Sequence, residues 1–282
     1  MIWILGAIVF WLAAWSANVV MARSRWHGAR LVRIAVPVLF GITLLVLWEG
    51  LVRGLGVSPV ILPPPSAVAA RFAAETGTLW EDFRQTVLKG AMSGYVIGAI
   101  AAILTAIAID RSRFLTAGLL PIGNFVAALP IVGIAPILVS WVGFDWHSKA
   151  AVVVVMVFFP ILVNTVQGLA EASAMQKDLM RTYAASYWQT LFKLRLPAAM
   201  PFVFNGLKIA TTLALIGAIV AEYFGSPTRG MGFRISTGVG SLSIDLVWAE
   251  IAVAALTGSV VYGLVALAEK RVTFWHPSQR KA

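Results

Sequence analysis

Apolar residues along this chain come in long unbroken runs, not in the 3.6-residue stripes of a surface helix or the strict alternation of a half-buried strand. A membrane-crossing helix needs about 20 mostly apolar residues. Seven stretches meet that requirement: Ile2–Met21, Ile34–Leu55, Thr86–Ile109, Phe114–Val142, Lys149–Leu169, Pro201–Tyr223 and Leu246–Ala268. The fourth carries Pro121, Pro130 and Pro136. Proline removes a backbone donor, and neighbouring helices can satisfy the carbonyls it frees. That run is therefore one kinked helix or two shorter pieces. The pattern predicts an all-α polytopic membrane protein with about seven transmembrane helices. The chain shows no repeat, no low-complexity tract and no soluble domain boundary.

The polar segments between the runs differ in character. In 56–85, Leu62-Pro63-Pro64-Pro65-Ser66 forces an extended passage. Ser66 is then placed to cap a short helix running to about Glu75. The segment Gly225–Gly232 (GSPTRGMG) reads as a flexible loop. The segment 170–200 mixes basic and apolar residues and is helix-permissive as far as Arg195. Pro197 and Pro201 are expected to end that helix where the chain re-enters the membrane.

Composition supports lipid as the solvent: 60% of residues are hydrophobic and 12% charged, about half the charge of an ordinary soluble domain. The net charge of +10 raises the question of nucleic acid. Its distribution answers that question. If loop 22–33 is cytoplasmic, fourteen of the 22 Lys and Arg fall on the cytoplasmic side and seven outside, with Lys208 inside the sixth run. This is the positive-inside signature, and no nucleic-acid partner is implied. The N-terminus is then outside and the C-terminus cytoplasmic. The first run reads as an anchor and not as a cleaved signal, since no Lys or Arg precedes it and four arginines follow. Lys208 reads as a side chain that snorkels to the cytoplasmic interface.

Several chemistries are excluded. There is no cysteine, hence no disulfide, thiolate metal site or cysteine nucleophile. His27, His147 and His276 fall in loops or near span ends, where they cannot hold a haem inside a bundle. No HExxH, GxSxG or GxxxxGK[ST] occurs, so protease, esterase and phosphate-loop chemistry have no carrier. No catalytic or metal-binding set is expected, and no cofactor. Acidic residues mid-span, the usual mark of ion-driven carriers, are sparse. The driving energy is thus expected from a partner, with an autonomous secondary transporter or channel as the alternative.

The most informative stretch is Asp178-Leu-Met-Arg-Thr-Tyr-Ala-Ala-Ser-Tyr-Trp-Gln-Thr-Leu-Phe-Lys-Leu-Arg-Leu-Pro197. From its residues alone it could be an amphipathic helix lying on the headgroups. It resembles the EAA loop of binding-protein-dependent ABC permeases. Asp178-Leu179-Met180 stands at the EAA position, Ala184 at the glycine, and Leu194–Pro197 at the closing I-x-LP. Leu62-Pro63-x-Pro65-Ser66, Phe159–Thr165, Gly206-Leu207-Lys208-Ile209-Ala210 and Ala221-Glu222-Tyr223 with Gly230-x-Gly232 resemble the nitrate/sulfonate/taurine-type branch. The resemblance spans about residues 34–272.

The resemblance implies a type I ABC importer permease fold (MetI-like) over 34–272, preceded by an extra helix and basic loop (1–33) and followed by a tail (273–282). It implies a bacterial inner-membrane location, a permease homodimer, a separate ATPase subunit that binds the ATP, and a periplasmic solute-binding protein. The solute would be a sulfonate, taurine or nitrate-like anion, or a vitamin precursor. Within the coupling loop 171–200, Asp178, Leu179, Met180, Arg181, Tyr183, Ala184, Ala185, Ser186, Trp188 and Pro197 would contact or shape the ATPase joint, with Asp178 either pairing a basic ATPase residue or capping the helix. Ala184 departs from the family glycine, and alanine adopts positive φ only at a cost. Either the loop is more continuously helical here or the ATPase cleft is shaped to match. Asn164, Gln167 and Asn205 carry amides that lipid would strand, so each lines a pathway or bonds between helices. Glu222 is a further pathway candidate.

Overall fold

The computed structural model describes all residues except 25–27, 113, 115–117, 119–124, 126–128, 226–227 and 277–282. The regular elements among the described residues are all helical. They are α1 (Ile2–Arg23), α2 (Arg30–Leu55), α3 (Pro65–Ala74), α4 (Thr76–Arg111), α5 (Ile131–Val142), α6 (Trp146–Ala170), α7 (Ala174–Thr182), α8 (Tyr187–Gly225), α9 (Met231–Gly240) and α10 (Ile244–Val272). Six of these are long and apolar enough to cross a membrane: α1, α2, α4, α6, α8 and α10. Most of the first half of the proline-interrupted fourth run lies outside the described residues. Its described helix, α5, has 12 residues.

The chain forms two compact units, Met1–Leu79 with Thr237–Glu250, and Trp80–Ser236 with Ile251–Ala282. In the first unit α1 and α2 pack through small residues. A Cβ on Gly50 would lie 2.9 Å from the Trp3 carbonyl oxygen, so only glycine lets the backbones come this close. Ser66 does not cap α3. The helix starts one residue earlier, with Pro65 in its first turn, where the missing N–H costs nothing. The Ser66 N–H donates to Glu49 Oε2 at 2.9 Å and its hydroxyl donates to Glu49 Oε1 at 2.7 Å. Thus a carboxylate from α2 satisfies the start of α3, and Arg53 pairs with the same carboxylate.

In the second unit α6 is central, with α4 on one side and α8 on the other. Val153, Val157, Ile161, Leu162 and Leu169 of α6 are wholly or almost wholly buried. A Cβ on Gly94 of α4 would meet the Ala150 oxygen at 2.6 Å, and one on Gly168 of α6 would meet the Ala199 oxygen at 2.9 Å. Both glycines therefore set the approach of neighbouring helices.

The expected helix stop is corrected. Pro197 and Pro201 do not end the helix that leaves the 170–200 segment, because α8 continues through both from Tyr187. Just ahead of them, Leu191–Arg195 is a π-helical turn, which bonds i→i+5 and takes in one extra residue. A second π segment, Arg84–Ala91, interrupts α4. Each marks the place of a polar cluster.

Candidate functional site

The 170–200 segment is two helices with a turn between them. Ser173 accepts from the Gln176 N–H, and the Gln176 side chain accepts from the Ser173 N–H, closing a capping box at the start of α7. Ser186 and Gln189 repeat the same box at the start of α8. Asp178 is therefore not the helix cap. It sits mid-helix and pairs with Arg181 at 3.1 Å, both side chains being largely exposed. The turn passes through Ala184 at φ 50°. The loop is not continuously helical: alanine takes the left-handed conformation that the family glycine would take, at a cost of about 1–2 kcal/mol.

The chain leaves large side chains uncovered on this segment. Met175, Leu179, Tyr183, Trp188 and Phe192 are 83%, 55%, 75%, 50% and 58% exposed. Trp188 stacks on Phe192 with centroids 6.0 Å apart. Met180, Ala185 and Pro197 are half-buried, while Arg181, Ala184 and Ser186 are exposed.

The base of the loop is tied. Arg195 donates to Asp110 through Nη1 at 2.7 Å and Nη2 at 2.5 Å. Its Nε and Nη2 also donate to the Leu169 carbonyl at 3.0 and 2.8 Å. The Tyr187 hydroxyl donates to Asp110 Oδ2 at 2.9 Å, and the Arg111 guanidinium lies 5.5 Å from the centre of the Tyr187 ring. Ends of α4 and α6 and the first turns of α8 thus meet at one guanidinium.

At the other end of this unit, where α4 begins and α8 ends, a second cluster holds backbone. Asp82, Thr86 and Glu222 are 0%, 0% and 1% exposed. Three successive N–H groups opening α9 donate into them: Gly230 to Asp82 Oδ1 at 2.7 Å, Met231 to Thr86 Oγ1 at 2.8 Å, and Gly232 to Glu222 Oε2 at 3.2 Å. The Thr86 hydroxyl donates to Glu222 Oε2 at 2.6 Å, and Arg234 Nε donates to Asp82 Oδ2 at 2.7 Å. Lys149, 1% exposed, donates to the carbonyls of Phe144 and Gly225 at 2.6 and 2.7 Å. The described part of 225–232 is therefore fastened, in contrast to the flexible loop expected. A side chain at Gly230 would fall on the Glu222 carboxylate, and one at Gly232 on the Ile219 oxygen.

The remaining candidates divide. Asn164 Nδ2 donates to the Pro160 carbonyl at 2.8 Å, and Asn205 Nδ2 donates to Asn164 Oδ1 at 2.9 Å, joining α6 to α8. Gln167 and Asn205 are exposed. Glu222 lies enclosed in the second cluster. Lys208 does not snorkel: it pairs with Glu269 of α10 at 2.7 Å, with both side chains mostly covered. Residue reading missed Asp110, Tyr187, Asp82, Thr86 and Lys149. The S-x-x-Q spacing at Ser173 and Ser186 was a legible capping signal.

Residues 94–274, more than half the chain, match the family described as binding-protein-dependent transport system inner membrane component. A probable ABC transporter permease protein of Haemophilus influenzae is 34% identical over 78% of this chain and 89% of its own length. The formylaminopyrimidine transport permease protein ThiX of Halalkalibacterium halodurans is 29% identical over 86% and 96%. The taurine transport system permease protein TauC of Escherichia coli is 28% identical over 89% and 93%. The chain belongs to the inner-membrane permease components of binding-protein-dependent ABC transporters, in the sulfonate/taurine/nitrate branch, and is a multi-pass transporter subunit, not an enzyme.

Proposed function

We propose that this permease imports a small solute, a sulfonate, taurine or nitrate-like anion or a vitamin precursor, handed to it by a periplasmic binding protein. The names of relatives that serve taurine and a formylaminopyrimidine support that range. Two copies form the pathway. The 171–200 loop and the C-terminus face the cytoplasm, and the N-terminus faces out, as the Lys and Arg distribution favours. A separate ATPase binds the ATP. The exposed amides of Gln167 and Asn205 are the pathway candidates, with Asn164 orienting Asn205.

The observation that carries this reading is the uncovered row Met175, Leu179, Tyr183 and Trp188 on a capped, anchored pair of helices. Large apolar and aromatic side chains held in fixed positions are the anchors of a protein interface. They seat in a groove of the ATPase, and its closure on ATP rocks the attached helices as rigid bodies.

The test is Tyr183→Glu, with Ala185→Glu beside it, in a permease co-expressed with its ATPase and binding protein. Loss of ATPase co-purification and of solute uptake is expected. Unchanged assembly and uptake removes the loop from the docking role. Uptake by the purified chain alone in liposomes, driven by an ion gradient, would replace the importer reading with an autonomous carrier.

A further inference from the structure

We infer that Asp110 and Arg195 are positioning residues for energy coupling: the joint through which the 171–200 loop moves α4 and α6 together with α8. This rests on the docking reading above and adds what happens behind the docked surface.

A seated helix transmits displacement only if its base does not flex. The base of this loop has two sides, since the chain leaves α6 near Leu169 and enters α8 at Tyr187. Arg195 spans that gap. Two of its bonds go to the Leu169 carbonyl, one of the acceptors that an α-helix C-terminus leaves unsatisfied. Two more go to the two oxygens of Asp110, on the last turn of α4. One planar fork thus closes the loop on itself and fastens the closure to a third helix. The side chains are only 17% and 12% exposed, so the pair is shielded from screening by water.

Tyr187 strengthens the assignment. It is the first residue of α8, three positions beyond Ala184, and its hydroxyl meets the same Asp110. Motion of the docked segment therefore reaches α4 by two routes, through Tyr187 directly and through the Arg195 fork. The π turn explains why the fork can reach. Leu191–Arg195 takes in one residue more than an α turn, which rotates Arg195 relative to the residues ahead of it. π turns recur at functional sites, and this one carries Arg195.

The chemistry asks for arginine. A lysine supplies one point charge and cannot bind a carboxylate and a carbonyl in fixed fork geometry. Arg195→Lys is thus the informative change, because it keeps the charge and the stem and removes the fork.

The experiment uses the full permease with its ATPase and binding protein in liposomes. It compares wild type, R195K, R195Q and D110N for three readouts: ATPase retained, ATP hydrolysed with loaded binding protein, and solute taken up per ATP. The expected result is retained ATPase and continuing hydrolysis, with uptake per ATP lower by about five- to tenfold, the low end of usual coupling effects. Wild-type uptake per ATP in any variant that assembles overturns the inference. So does loss of the ATPase from all three variants, which would make the cluster a folding element. If the wild-type chain itself holds no ATPase, the docking reading fails instead, and the two failures are told apart by that control.

Discussion

The two polar clusters of the second unit are built on opposite plans. At the loop end, Asp110 and Arg195 bind each other through side chains, and Arg195 also recruits the Leu169 carbonyl. At the far end, Asp82, Thr86 and Glu222 bind backbone, three consecutive N–H groups of the turn that opens α9. Each cluster sits at a π segment, Thr86 in one and Arg195 in the other. The difference lies in what is stranded if a side chain is lost. A side-chain fork can relax toward partial exposure. A buried turn whose amides lose their acceptors cannot, and each stranded donor carries its full desolvation penalty. The far end is therefore expected to control folding, and the loop end coupling.

The sharpest way to break that contrast is Asp82→Ala. It removes the acceptor of the Gly230 N–H and the carboxylate to which Arg234 donates. Breaking a buried charged pair by deleting one partner costs about 3–5 kcal/mol. The expected outcome is little monodisperse protein in detergent and a much lower unfolding temperature. A well-behaved protein that merely fails to transport would move this cluster into the coupling class.

Gly232→Ala probes the same turn by crowding, without deleting a hydrogen bond. The added Cβ would collide with the Ile219 oxygen and lie 2.8 Å from the Tyr223 amide nitrogen. Backbone cannot swing aside as a side-chain tip can, so the cost is expected near 1–3 kcal/mol, the usual range for overpacking. Thermal unfolding of purified protein reads it. A stability equal to wild type would mean that the turn is loosely held.

Ser186→Ala tests the loop end with a smaller effect. It removes one half of the capping box at the start of α8 and is expected to cost about 1 kcal/mol. Because the loop projects from the folded unit, the loss should appear as faster proteolysis in 183–190 and weaker ATPase retention, with the global unfolding temperature almost unchanged. An equal fall in global stability would show that the two ends are one cooperative block.

How much of this could be read in the residues follows from the kind of signal each feature leaves. Helix spans leave a strong one, because 20 apolar residues in a row have few other uses. α6 and α10 are found within a few residues of their expected bounds. The start of α8 is not, since proline is a poor stop signal in a membrane helix, where packed neighbours can satisfy the carbonyls it frees. The family was legible through the spacing around Asp178, Ala184 and Pro197. The clusters were not, because Asp110 and Arg195 are 85 positions apart, and Asp82 and Gly230 148. No local pattern links such residues. Glu222 shows the limit from the other side: its position marked it as noteworthy, but only its neighbours show that it holds a turn.

The smallest expected effect is the most specific to this sequence. Ala184 adopts φ 50°, where its Cβ crowds the following carbonyl oxygen by about 1–2 kcal/mol. Glycine relieves that crowding, but the unfolded chain then gains freedom worth about 0.5–1 kcal/mol. The balance for Ala184→Gly is a stabilisation of about 0–1.5 kcal/mol by those two figures. It should be confined to the turn and visible as slower proteolysis between α7 and α8, with ATPase retention intact. Ala184→Val gives the opposite sign, since a branched side chain at positive φ is a true outlier. If valine is tolerated as well as glycine, the turn is not held left-handed. α7 and the start of α8 would then be free to straighten into one helix, and the proposed docking would offer the ATPase a flexible arm in place of a lever.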